Sequence, residues 1–292
     1  MTNFLKTLVL AAALFATSVS AENNRIDIVM PGGAGSFGYT VAESLAPSLK
    51  SAGLTVNYAP KPGAGGKIAI SYLRQRADSR DVLVAGSGIV KFETVVNPEF
   101  DSVLDDYQFI GPVLSADFAL VTSKDIKLAE IFKDNRQYTV SAGSAATQLV
   151  IDQVNARYPG KFLAVPYRDS NQSWLDMMGG HIDIDITRVP FARGRADKSA
   201  VVLAVTAPAA KGTPSLTKYV PGINISDNAI GLLVRKNTDP ALVARIEQAL
   251  TGYYSDTYVK ARLSVEGYQI ISNKNGEHNR RLVQEIDLLK KK

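Results

Sequence analysis

No cysteine occurs in the 292 residues, which excludes a disulfide framework, a thiolate metal site, a cysteine nucleophile and lipidation at an N-terminal cysteine. Only two histidines are present, His181 and His278, so zinc hydrolysis and histidine-based catalysis have little to work with. Internal repeats and low-complexity linkers are absent, and past the N-terminal segment no apolar run reaches the roughly 20 residues that span a bilayer. Basic residues are not clustered either. The only run of three is Lys290-Lys291-Lys292, so the net charge of +5 reads as a solvated basic surface and nucleic acid is not expected as a partner. What is there is ordinary globular material, 46% apolar and 21% charged, which is too apolar for a disordered chain. The length suggests one large domain or two of moderate size.

Residues 1–21 read as a secretory leader, with Lys6 as the positive start, an apolar stretch from Leu8 to Phe15 and the small-residue pattern Val19-Ser20-Ala21. Cleavage is expected after Ala21, leaving a soluble protein outside the cytoplasm. The remainder repeats one grammar of strand, small-residue loop and helix. Ile26–Met30 is a strand run that ends at Pro31-Gly32-Gly33-Ala34-Gly35-Ser36. Val41, Leu45 and Leu49 then mark a helix ending at Gly53, with Pro47 expected to kink or shorten it. Leu54–Tyr58 is the next strand, which completes a βαβ unit and implies parallel strands. The pattern returns at Val82–Val84, Tyr138–Val140, Ile182–Ile186 and Val201–Val205. Near the C-terminus, Asp239-Pro240 caps a helix whose apolar face (Leu242, Val243, Ile246, Leu250) is predicted to end at Gly252. Trp174, Leu175, Met177 and Met178 read as core packing on a helix that stops at Gly179-Gly180.

In open α/β sheets ligands lie beyond the carboxyl ends of strands, where helix N-termini and loop amides converge. The loops at 31–36, 85–88 and 141–147 are rich in Gly and Ser, which permit close backbone approach and supply hydroxyls, so they predict a site for a carboxylate or phosphate. Gly33-Ala34-Gly35-Ser36-Phe37-Gly38 matches the dinucleotide fingerprint in letters, yet the following strand ends in Asn57-Tyr58-Ala59-Pro60 without the ribose-binding acid. No cofactor is therefore expected. His181, Asp183 and Asp185 alternate as on one strand face, but the intervening Ile182 and Ile184 read as a half-buried strand. With no further ligand cluster, at least one Asp capping a loop amide is favoured over a metal. No Gly-x-Ser-x-Gly elbow occurs, and His278 lies in the polar stretch 273–281, read as an exposed loop or helix start.

The ordered motifs Pro31-Gly32-Gly33, Lys61-Pro62-Gly63-Ala64-Gly65-Gly66, Gly86-Ser87, Ser141-Ala142-Gly143-Ser144, Val165-Pro166-Tyr167, Gly179-Gly180-His181-Ile182-Asp183 and Leu203-Ala204-Val205-Thr206 together resemble the Bug family. These are the periplasmic substrate-binding proteins of tripartite tricarboxylate transporters. The resemblance implies an α/β, type II periplasmic-binding fold, with two doubly wound lobes, two crossing segments and a ligand cleft. It places the first lobe at 22–115 and 229–292 and the second at 116–228. It implies binding of a small carboxylate or other organic anion by a monomer that works with membrane permease subunits and is not an enzyme. By position it assigns ligand contacts to Gly33, Ala34, Gly35, Ser36, Phe37, Gly86, Ser87, Ala142, Gly143, Ser144, Ala145, Thr147, Thr187 and Arg188. The chain departs from the family pattern twice: Ser36 stands where an Asp is usual, and Thr187-Arg188 where Asp and a small polar residue are usual. Arg188 is expected to pair with a ligand carboxylate through both arms of its guanidinium, or else to pair with Asp185 or point to solvent. A secreted serine hydrolase using Ser87 or Ser144, or a periplasmic sensor subunit, are the alternatives.

Overall fold

A computed structural model describes residues 24–63, 66–76, 80–86, 106–167, 169–195, 200–205, 213–223, 229–273, 276–280, 282 and 284. The leader, Ala64, Gly65, Ser87, Gly88, Thr206, Asn228 and the tail lysines lie outside them. In chain order the elements begin with β1 (Arg25–Met30), α1 (Phe37–Ser51), β2 (Thr55–Pro60), α2 (Lys67–Gln75), β3 (Asp81–Gly86), β4 (Tyr107–Ser115) and β5 (Phe118–Thr122). Next come α3 (Leu128–Ile131), β6 (Tyr138–Ala142), α4 (Ala145–Arg157), β7 (Phe162–Pro166), α5 (Ser170–Met178), β8 (Asp185–Arg188), α6 (Val189–Arg195) and β9 (Val201–Val205). The chain closes with β10 (Ala229–Arg235), α7 (Pro240–Ser255), α8 (Thr257–Glu266) and β11 (Gln269–Ile270).

The first sheet has the strand order β11-β4-β10-β3-β1-β2. The β1-α1-β2 unit is parallel with Arg25 opposite Thr55, as the sequence grammar requires, and β3 is also parallel to β1. Strands β1 and β3 are almost continuously buried, because helices cover both faces of the sheet. Leu45 and Leu49 of α1 meet Ile246, Leu250 and Tyr253 of α7 on one face, while Ile70 and Leu73 of α2 cover the other. Pro47 neither shortens α1 nor ends it. Complete burial of Leu45 and Leu49 contributes about 3–6 kcal/mol, enough to offset the roughly 3 kcal/mol of an interior proline. Likewise α7 runs past Gly252, since fully buried Tyr253 extends the apolar face and bonds Ser44 Oγ at 3.1 Å.

The second lobe is built on β8-β5-β9, with β5 antiparallel to both neighbours, and on the parallel pair β6-β7 joined to it by a bridge between Val140 and Ile184. The chain passes from the first sheet to the second between Ser115 and Phe118 and rejoins the first at Ala229. Residues 181–183 are bends before β8 begins, so His181 does not share a strand face with the two aspartates, and it is exposed. Trp174 and Met177 pack into the core, but Leu175 is 62% exposed on the opposite side of α5, a correction to the reading that grouped all four residues as core. His278 is buried against Phe109 with ring centroids 5.8 Å apart, not exposed as its polar neighbours suggested.

The N-terminal ends of the strands are closed by ion pairs. In the first lobe, Asp27 accepts from Arg25 (3.1 Å), Asn57 (3.0 Å) and Arg76 (3.1 Å), and Arg76 also reaches Asp81 (3.2 Å). In the second, the Asp183 carboxylate accepts from Lys124 Nζ (2.7 Å), Arg136 Nη2 (2.6 Å) and both the backbone N–H and hydroxyl of Thr139 (3.0 Å each). Burial alone would raise the Asp183 carboxyl, but the bonds from Lys124 and Thr139 outweigh it and hold the group below the usual carboxylate range. Asp183 thus bonds an amide, but that of Thr139 inside β6 and not the loop amide expected for this segment.

Candidate functional site

A cavity of about 770 Å³ opens between the lobes at the opposite end, beyond the C-terminal ends of β1, β6 and β8 and the starts of β5 and β10. Its first-lobe wall is the loop 31–36 running into α1. Gly35 adopts φ +79, and a Cβ on Gly32 would stand 2.3 Å from Ser36 Oγ, so both glycines are required by the turn. The turn is closed by Ser36 N–H donating to the Gly33 carbonyl at 3.0 Å, and Ser36 Oγ caps α1 by accepting from the Tyr39 N–H at 3.2 Å.

The second-lobe wall presents two further helix starts. Ser144 and Thr147 form a capping box at α4: Thr147 N–H donates to Ser144 Oγ (3.2 Å), and Ser144 N–H donates to Thr147 Oγ1 (2.9 Å). Thr147 gives its own proton to the Ser144 carbonyl at 2.8 Å. These hydroxyls therefore serve first as caps, and they also lie 3.3 Å from each other. Asp169 caps α5 by accepting from Asn171 N–H at 2.7 Å, and Ser170, Asn171 and Ser173 line the cavity. Three helix N-termini, those of α1, α4 and α5, therefore border one cavity, each carrying unsatisfied N–H groups and the positive end of a dipole.

At the end of β8, Thr187 is buried and Arg188 lines the cavity. Arg188 neither pairs with Asp185 nor points to solvent. Asp185 is instead bonded by the Ser141 hydroxyl at 2.5 Å, and Arg188 is partly buried, donating from Nη1 to the Ala116 carbonyl at 2.6 Å. Its guanidinium carbon sits 4.2 Å from the Phe118 ring centroid and 4.6 Å from that of Phe37. Burial pushes the group down to about 9, with Asp117 pulling the other way, so at neutral pH it remains a cation. The other charges lining the cavity, Arg193, Asp169 and Glu266, are exposed at its rim. Beneath the floor, burial raises Asp185 above the usual carboxylate range, against the hydroxyls of Ser141 and Ser173.

Of the residues assigned from sequence, Gly33, Ala34, Gly35, Ser36, Phe37, Gly143, Ser144, Thr147, Thr187 and Arg188 line this cavity. Gly86 and Ala142 are not among its lining residues, and the Ala145 side chain and Ser87 lie outside what the structure describes. Both Gly86 and Ala142 are the last residues of strands, β3 and β6, which extend further into the predicted loops than the local pattern suggested. Sequence reasoning missed Asn171, Ser173, Arg193, Phe118 and Tyr268. The first two were within reach, since Asp169 ahead of the periodic Trp174 and Met177 is an N-cap signature. Neither histidine lines the cavity, and among the described residues no group of three His, Asp or Glu side chains could hold a metal ion.

Residues 40–291 match the family model of the tripartite tricarboxylate transporter family receptor. The chain belongs to that family. Receptors of this family are periplasmic solute-binding proteins, not enzymes. A curated relative from Agrobacterium vitis, described as a UPF0065 protein in the TAR-I ttuE-ttuC' intergenic region, is 27% identical over 177 residues, covering 56% of this chain. The match takes in 51% of that relative, so the chain spans about half the length of the curated protein it matches. Among solved structures, an R. palustris protein with adipate aligns at TM-score 0.80 and 18% identity, over 91% of this chain and 95% of its own. MatC from Rhodopseudomonas palustris with bound malate aligns at TM-score 0.75 and 17% identity, over 91% of this receptor and 98% of its own chain. These likenesses identify the fold of the receptor as the two-lobed periplasmic-binding type.

Proposed function

We propose that this receptor captures a small organic anion, a carboxylate, in the interlobe cavity and delivers it to a membrane transporter of the tripartite tricarboxylate type. One observation carries the reading: three helix N-termini and the Arg188 cation converge on one cavity. Such an arrangement favours negative charge without requiring an acid, base or metal. The amides of 33–37 and of the α4 start, together with Ser144, Thr147, Thr187 and Arg188, are the contacts we assign. Gly86 and Ser87 are retained from the family pattern. The Phe37 and Phe118 rings lie within 4.6 Å of the Arg188 guanidinium carbon, and a carboxylate would meet its N–H edge, where fork-on-fork pairing is made. Adipate and malate in related folds support a carboxylate as the ligand class.

In this reading residues 22–115 with 229–292 form one lobe and 116–228 the other, and the lobes close on the ligand because it contacts both. The chain is exported as a monomer after removal of residues 1–21. The test is a thermal-shift screen of the protein refolded free of co-purified ligand, against malate, adipate, other di- and tricarboxylates, aromatic acids and amino acids. A ligand present at ~1,000 times its dissociation constant adds about 4 kcal/mol, a rise on the order of 8 °C. A rise with carboxylates and no turnover is expected. A response confined to cationic or neutral solutes, or hydrolysis of an ester that is abolished by substitution of Ser87 or of Ser144, would overturn the reading.

A further inference from the structure

Four groups stack in series across the floor of the cavity. Tyr268 and Phe37 lie parallel, with ring centroids 5.6 Å apart and planes at 3°. The Arg188 guanidinium covers Phe37 at 4.6 Å and Phe118 at 4.2 Å. Phe37 opens α1 in the first lobe, directly after the capping Ser36, and Tyr268 follows α8 in the same lobe. Arg188 and Phe118 are cross-strand partners on β8 and β5 of the second lobe, and Phe118 directly follows the crossing segment. Among the described residues, the Arg188–Phe37 contact is the one cation–π or ring contact that joins the two lobes.

The geometry has a mechanical consequence. Phe118 and the Ala116 carbonyl hold the guanidinium from its own lobe, whereas Phe37, which also contacts it, travels with the other lobe. Any rotation of the lobes slides Phe37 over Arg188 and alters the desolvation and orientation of the cation. We propose that Phe37 is a positioning residue: the first lobe sets how the Arg188 edge is presented, and so links anion affinity to the relative position of the lobes. The affinity part rests on the proposed carboxylate function. The conformational part does not.

Because the chain lacks cysteine, Leu175→Cys and Tyr258→Cys, both at highly exposed positions in different lobes, allow two spin labels to report the interlobe distance. The background is then combined with Phe37→Leu, which keeps apolar bulk but removes the π face, and with Phe37→Tyr, which restores it. In the ligand-free protein, Phe37→Leu should broaden and shift the distance distribution, and Phe37→Tyr should return it. With malate and adipate as probes, Phe37→Leu should raise the dissociation constant about tenfold, in line with a desolvated cation–π contact, and Phe37→Tyr should recover most of the loss. A Phe37→Leu distribution that superimposes on the parent overturns the proposal, as does unchanged affinity in a parent that binds the probes. If neither probe binds the parent, the carboxylate function fails on its own terms, and the ligand-free distances still decide this one. Melting curves of each variant separate loss of fold from loss of coupling.

Discussion

The two ends of the strands solve opposite problems. At the N-terminal ends charges are matched to charges, as where Asp183 receives four hydrogen bonds from Lys124, Arg136 and Thr139, or where Asp27 bridges Arg25, Asn57 and Arg76. At the cavity end the Arg188 guanidinium lies over two aromatic rings, and three helix starts border the open space. The first end stabilises the fold. The second gathers a cation and three helix starts around one cavity, the features on which the proposed anion binding rests. Stability and affinity should therefore respond to different residues.

The largest expected effect breaks the comparison on the stability side. Asp183→Asn leaves two cations facing a neutral amide. Because Lys124 and Arg136 are 31% and 52% exposed, they partly rehydrate, and the loss should be about 2 kcal/mol instead of the 3–5 typical of a fully buried pair. That is a fall of several degrees in melting temperature, with ligand affinity unchanged. On the other side, Arg188→Ala should weaken binding of the carboxylate identified in the screen by ten- to a hundredfold, the range of a charge-assisted bidentate contact. Calorimetric titration would detect it.

Two smaller effects sharpen the comparison. Ser144→Ala removes the α4 cap, costing about 1 kcal/mol in urea unfolding, while affinity falls only a few-fold because the backbone amides remain. The pH dependence should differ in sign between two aspartates that are two residues apart. Asp183 is depressed in the folded state, so its stabilisation is present above the ordinary carboxylate range and lost as pH falls through it. Asp185 is raised by burial, so its contribution is present below that range and lost as pH rises through its folded value. Urea midpoints from pH 3 to 8 should show the Asp183→Asn deficit shrinking in acid and Asp185→Asn gaining on the parent as pH rises.

Local pattern made the scaffold legible. The βαβ start, the Asp239-Pro240 helix cap and the glycine turn at 31–36 depend on residues a few positions apart, and they stand where the sequence puts them. The errors came from contacts between distant segments. Pro47 is tolerated because α7 buries α1, Gly252 is overrun because Tyr253 reaches Ser44, and His278 is buried because Phe109 stacks on it. Site legibility divides the same way. The loops were found by composition, but the partners of Arg188 were not, since Phe37, Phe118 and Ala116 meet it only once two lobes and a crossing segment are assembled. Ser144 and Thr147 were expected at the site as hydroxyls, and their capping of each other could be inferred only from their spacing of three at a helix start.

The most direct test of the account is a calorimetric titration of the screened carboxylate into three proteins: the parent, Arg188→Ala and Asp183→Asn. The account predicts a dissociation constant at least tenfold higher for Arg188→Ala and within twofold of the parent for Asp183→Asn, although Asp183→Asn is the variant that melts several degrees lower. Equal affinity in the parent and Arg188→Ala, or a loss in Asp183→Asn as large as that in Arg188→Ala, would contradict the division of labour between the two ends of the strands.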